Sequence, residues 1–400
     1  MQYCRSVLTL LLFTLVLPGC SWFGGGEEET RVPVELEKFE EEVQIQRLWN
    51  VDIGRGAEDK AIKLIPAFSG SRVFAASADG NVKALSSSSG REIWKVNIKD
   101  FYTNAERKIA FSKSSDTITG GVGVGEDLVL VGSAAGEVVA INQSDGTLAW
   151  RTLTTSEVLS PPQALDQLVV AQTIDGKVAG FDALDGERKW LYSTSVPSLT
   201  LRGTSTPILN EYVMVGFANG RIAVLDTVRG LPVLDQRVAA AQGKSDLERL
   251  VDIDGSMVFD GSTLYVVTYQ GNLIAIDMAA SGRAKWAQPA SSAVGLGFGF
   301  GNVYLAQEDS VIKAIDGDNG SEIWMNDSLL YRDITTPIAT GSYIAVGDFE
   351  GQLHLLAQSD GRFVGRRSID KKGLGSQVIV DGRRIYAMGN SGRLYALEIN

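Results

Sequence analysis

Two glycine-dense stretches, two acidic clusters, one histidine and two cysteines are the positions in this 400-residue chain whose types could carry chemistry. Gly120-Gly121-Val122-Gly123-Val124-Gly125 has the look of a dinucleotide loop. Such a loop must lead from a strand into a helix, so that backbone amides face the phosphates, whereas this one runs into the strand-like "LVLVGS". Gly295-Leu296-Gly297-Phe298-Gly299-Phe300-Gly301 precedes a similar β-rich run. Both read as strands where backbones crowd. Asp316-Gly317-Asp318-Asn319 and Asp252-Ile253-Asp254 space carboxylates as calcium loops do, but neither has the Gly and Glu positions that an EF-hand loop requires. His354 is the sole histidine, so any Ser-His-Asp triad must use it. Its place in the alternating run "GQLHLL" predicts a packed or half-exposed strand residue. No cysteine follows Cys20, which removes thiol nucleophiles, Cys metal sites and disulfides from the body of the chain. Paired carboxylates remain as possible chemistry, and no catalytic residue is singled out. The usual hydrolase and metalloenzyme readings thereby lose their machinery, and no cofactor or metal is expected.

The formal net charge of -11 argues against nucleic acid, because phosphate affinity needs a basic surface that releases counterions. Residues 1–19 read as an export signal, with Arg5 ahead of an apolar run from Val7 to Val16 that is too short to span a bilayer. Leu17-Pro18-Gly19-Cys20 resembles the bacterial lipobox, which implies lipidation of Cys20. Ser21, not Asp, at the next position resembles the outer-membrane sorting class and implies a chain anchored there and facing the periplasm. Residues 20–43 then read as a flexible acidic tether opening on Gly24-Gly25-Gly26-Glu27-Glu28-Glu29.

The elements that position everything else are repeats. "ALSSSSGREIW" ends at Trp94 and "AINQSDGTLAW" at Trp150, each placing Gly six residues after the first position and Trp four beyond that. The phrase returns ending at Trp190 and Trp324. It is worn at "VLDTVRGLPVL" from Val224, at "AIDMAASGRAKW" from Ala275 with one residue inserted, and at "LLAQSDGRFVG", where Gly365 stands for Trp. An eighth copy begins at Ala396 and runs out of chain. Upstream of each lie a Gly or Asn turn and alternating strands, as in "DGNVKAL" and "NGRIAVL". Turn glycines 136, 176, 220 and 271 are spaced by 40, 44 and 51 residues, and Gly351 and Gly392 by 41.

A period near forty with four strands per unit is the signature of propeller blades. The expected fold is therefore all-β: an eight-bladed β-propeller of four-stranded antiparallel blades over residues 44–400, with Ser310 taking one degenerate turn. The unfinished last phrase predicts closure. "IQRLWNVDI" carries Trp49 with no phrase before it, and is expected to supply the outer strand of the last blade beside Arg393 to Ile399, removing two open sheet edges. Excess material around "KDFYTNAERKIAFSKSSDTITGG" and "QRVAAAQGKSDLERLVDIDGS" maps to surface loops, where binding concentrates.

The lipobox, the repeated phrase and the segments "VPSLTLRG" and "LERLVDIDGSMV" together resemble the BamB family, propeller lipoproteins of the outer-membrane β-barrel assembly machinery. The likeness covers essentially the whole chain. It implies a non-enzymatic scaffold that docks on BamA, and through it the other components of the machinery, and that helps unfolded outer-membrane proteins insert. Carried onto this chain, the family's docking loops correspond to Leu199, Leu201 and Arg202 in the first segment and Asp252 and Asp254 in the second. Burial of Leu199 and Leu201 in the strand that starts a blade is the competing reading. Two rivals share the repeat: a membrane-anchored quinoprotein (PQQ) dehydrogenase and a glycan-binding propeller.

Overall fold

A computed structural model describes residues 31–57, 62–103 and 117–400. The export signal, Cys4, Cys20, the glycine-rich start of the tether and the core of the first insertion lie outside them. Eight separate four-stranded antiparallel sheets follow one another. Blade 1 runs over residues 67–97, blade 2 over 118–153, blade 3 over 163–193 and blade 4 over 208–237. Blade 5 runs over 258–290, blade 6 over 296–326, blade 7 over 338–368 and blade 8 over 379–399. The eighth blade takes its outer strand from the N-terminus: Ile45–Asp52 pairs with Arg393–Ile399, and Trp49 lies opposite Ala396. The predicted closure is present.

Burial follows from this stacking. The second strands, such as Leu128–Ser133 and Leu168–Thr173, are buried along their whole length because neighbouring blades cover both faces. Outer strands alternate, and in Arg188–Ser193 only Trp190 is buried.

The repeated Trp belongs to its own blade but rests on the next. A Cβ added at Gly90, Gly146, Gly186 or Gly230 would lie within 2.8 Å of the ring of Trp49, Trp94, Trp150 or Trp190 respectively. Gly320 and Gly361 carry Trp286 and Trp324 in the same way. Each of these glycines has positive φ, so the bare, left-handed turn serves both the hairpin and the indole. Every ring also donates its Nε1–H across the junction, from Trp49 to Ser87 O at 3.1 Å, Trp94 to Gln143 O at 2.9 Å and Trp150 to Ala183 O at 2.8 Å. The same bond joins Trp190 to Thr227 O, Trp286 to Gly317 O and Trp324 to Gln358 O. A large apolar ring with a satisfied donor thus ties each sheet to its neighbour, and its removal is a loss of the ~3–5 kcal/mol class.

The two junctions without Trp have physical reasons. Leu234 takes the ring's place over Gly282 between blades 4 and 5. At Gly365 a side chain would run into the backbone of Val43, 3.0 Å from an added Cβ, because the incoming N-terminal chain crosses there.

That crossing corrects the expected extent of the tether. From Pro33 the chain lies against blade 7 rather than hanging free. Val34 exchanges bonds with Leu330 O and Arg332, Phe39 stacks on Phe363 at 5.5 Å, Arg366 lies over both rings, and Arg362 clamps Glu42. The acidic composition concealed an apolar series, Val34, Leu36, Phe39 and Val43, that blade 7 covers.

Both glycine runs are inner strands beside the axis. A Cβ at Gly123 would lie 1.7 Å from Pro162 O, and one at Gly297 1.8 Å from Pro337 O. Gly123 and Gly297 are bare because a neighbouring backbone occupies the space.

Candidate docking site

The two segments singled out in the sequence are connectors between blades. Residues 194–207 join the outer strand of blade 3, Arg188–Ser193, to the inner strand of blade 4, Ile208–Leu209. Residues 238–257 join Pro232–Arg237 of blade 4 to Val258–Phe259 of blade 5. Connectors of this type share one rim of the ring, so the two segments meet although about fifty residues separate them.

Leu199 is 40% exposed and Leu201 half-buried, both on the connector rather than in a strand. The competing reading, burial in the first strand of blade 4, therefore does not describe them. Arg202 is exposed and grips Glu157 with both terminal nitrogens, at 2.6 and 3.1 Å. Glu157 lies on the preceding connector, between blades 2 and 3. The sequence reading missed it, although it sits 45 residues before Arg202, close to one repeat, where a register of connectors would have placed it.

Asp252 and Asp254, expected on a docking loop, are not on the surface, and Arg202 pairs with Glu157 instead. Asp252 is fully buried and Asp254 is 7% exposed. The Leu201 N–H donates to Asp252 Oδ1 at 2.9 Å, and the Tyr269 N–H donates to the Asp252 carbonyl at 2.9 Å. Gly203 packs directly on Asp254, whose Cγ would be 2.8 Å from a Cβ at that glycine. The two carboxylates therefore hold up the connector that presents Leu199 and Arg202.

Burial pushes the Asp252 carboxyl up to about 6, against the pull of the Leu201 amide. It pushes Asp254 up to about 7, helped by the charge of Asp252 and opposed by Lys63. One oxygen of each, Asp252 Oδ2 and Asp254 Oδ1, has no hydrogen-bond partner among protein groups. Asp254 also lines a cavity of about 30 Å³ on the axis, together with Lys63, Ser160, Thr204, Ser256 and Gln377. Ser160 Oγ and Thr204 Oγ1 are likewise unpaired, while Lys63 donates to Ala293 O and Ser256 to Gln377 across the centre. Polar walls and this size suit one or two bound waters.

His354 is buried outright. Arg366 Nε, a donor only, approaches Nδ1 at 3.0 Å, so Nε2 carries the proton and donates to Asp348 Oδ2 at 3.1 Å. Arg332 pairs with the same carboxylate at 2.8 Å and also with Glu350. Burial holds the imidazole below its usual range. Both ring nitrogens are engaged within blade 7, by Asp348 and Arg366, and Arg332 and Arg366 in turn bond the N-terminal segment at Val34 O and Glu37 O, so the ring is structural. Among the described residues, no three His, Cys, Asp or Glu side chains converge as a metal site would need.

Comparison with known proteins places this geometry. The family model described as "Outer membrane protein assembly factor BamB" matches residues 78–326 and 308–400. The protein of that name from Pseudomonas aeruginosa is 41% identical over 391 residues, 98% of each chain. The crystal structure of BamB from Moraxella catarrhalis superposes with a TM-score of 0.77 at 28% identity, covering 88% of this chain and 99% of that one. Quinohemoprotein alcohol dehydrogenase from Comamonas testosteroni reaches a TM-score of 0.68 over 88% of this chain and 76% of its own, at 14% identity, a likeness of fold alone.

Proposed function

The chain belongs to the family of the outer membrane protein assembly factor BamB, and we propose that it works there as a non-enzymatic scaffold docking on the periplasmic domains of BamA. Its part is to help outer-membrane β-barrel proteins insert. Association with the outer membrane follows from the family. The finer reading is attachment through lipid on Cys20, facing the periplasm.

The observation that carries the docking reading is the pairing of an exposed apolar anchor with an oriented guanidinium on one supported connector. Leu199 offers apolar area, Arg202 is held by Glu157, and Asp252 fixes the backbone between them. Large apolar and Arg side chains presented on a stiff support are the features of interface hot spots. Asp252 and Asp254 act through the connector, as positioning residues.

The test is co-purification of the lipidated protein with BamA, comparing wild type with Leu199→Ala and Arg202→Ala. Reduced recovery with an unchanged unfolding midpoint is the expected result. Full recovery of BamA by both variants would sink the assignment of these loops, and recovery of no BamA by the wild type would sink the docking reading itself.

A further inference from the structure

The junction between blades 4 and 5 departs from the repeat on both sides. Blade 4 has Leu234 where six other junctions have an indole, and the phrase of blade 5 carries an extra residue before Gly282. The platform is nevertheless built: Gly282 has φ +78, like the glycines that carry rings elsewhere, and Met278 stands where the carbonyl that accepts each indole N–H is found in the other phrases. Leu234 fills part of the place and has no N–H to give.

What remains is an apolar groove of about 660 Å³ lined by Tyr212, Met214, Val233, Leu234, Phe259 and Met278. That volume falls in the ~300–1,000 Å³ range of ligand sites. Tyr212 is 37% and Val233 62% exposed, so the groove opens to solvent. Met278 lines it with the buried Met214 behind, and Met side chains adapt to aromatic rings and gain from contact with them.

We propose that this groove is a recognition slot for an aromatic side chain, Trp foremost, carried by a partner polypeptide and entering the space that Leu234, smaller than the indole found at the other junctions, leaves open beside Gly282. The ring would rest on Gly282 and Leu234 and give its N–H to the carbonyl of Met278. The occupant is identified by internal precedent: six copies of this junction, in the same chain, close on an indole. The slot opens beside the hairpin turns at 210–212 and 261–262, whereas the docking connectors lie at the opposite ends of the strands. It therefore does not depend on the BamA reading.

Leu234→Trp is the decisive variant, because it supplies the missing ring from within. The probe is an acetylated pentapeptide, Gly-Ser-Trp-Ser-Gly, made with 5-fluorotryptophan and titrated against the full-length protein while the fluorine line width is followed. Saturable broadening by the wild type, weakened about tenfold or more in Leu234→Trp, with an unfolding midpoint raised by cavity filling, is the expected result. Met278→Lys, which sets a charge on the groove wall, should also abolish broadening and serves if Leu234→Trp fails to fold. No broadening by the wild type at millimolar protein, or equal broadening by both variants, would overturn the proposal. So would self-association of the wild type that Leu234→Trp removes, since it would assign the groove to a second copy.

Discussion

Asp252 accepts the backbone N–H of Leu201 at 2.9 Å across 51 residues of chain, so a buried carboxylate on one connector sets the conformation of the exposed one beside it. Replacing Asp252 by Ala removes the acceptor and leaves the Leu201 amide unpaired, a change of ~1–3 kcal/mol. The expected readouts are faster hydrogen exchange at Leu201 and weaker BamA recovery, with the other blades unchanged.

The same pair makes stability depend on pH. Asp252 and Asp254 hold their protons up to about 6 and 7, whereas unfolded Asp releases its proton near 4. The folded state therefore binds more protons than the unfolded one between about pH 4 and 7, and the contribution of these groups to stability falls as pH rises through that window. Below it their burial costs no charge; above it the cost is complete. Thermal unfolding of Asp254→Asn should show a smaller decline from pH 5 to pH 8 than wild type, and an equal decline would remove the pair as the cause.

Glu157 and Arg202 meet at the surface, where an ion pair contributes ~0–1 kcal/mol. Glu157→Gln should leave the unfolding midpoint within about a degree or two of wild type, given that modest energy. If Glu157 orients Arg202 for a partner, the same variant lowers BamA recovery, while one bearing Lys at position 202 does not restore it because an ammonium lacks the planar fork. Wild-type recovery by Glu157→Gln would assign the pair to connector packing alone.

Gly365 is bare because Val43 passes over it. Gly365→Trp completes the repeated phrase in sequence yet should displace the segment from Pro33 to Val43. Limited proteolysis is expected to cut that segment much sooner in the variant than in wild type, at matched temperature. A variant as resistant as wild type would show that the segment is held elsewhere, by Arg332 and Arg362.

Most of the ring was legible because its determinants are local and repeated. Turn glycines, alternating strands and a Trp at fixed offset recur at most blades, and the orphan Trp49 beside an unfinished last phrase carries the closure in plain sequence. Leu199, Leu201 and Arg202 were singled out only through family likeness, and the exposure of Leu199 and Arg202 came from the connector rather than from residue type. Glu157 and Lys63 gave no local signal, since the groups they meet come from other blades. The tether was misjudged because a run of Glu outweighed four apolar residues whose partners lie some 290 to 330 positions away.

By itself the sequence determined the number of blades, their strand order and the point at which the two ends join, since short-range periodicity and turn chemistry dictate these within each forty-residue unit. Only the tertiary structure decided which of the singled-out residues face water. Asp252 and Asp254 read as a surface pair and proved to be buried supports, because exposure depends on how neighbouring connectors stack at the rim. The space beside Leu234 became a groove for the same reason: a side chain smaller than the ring leaves room only where the next blade has been placed to leave it.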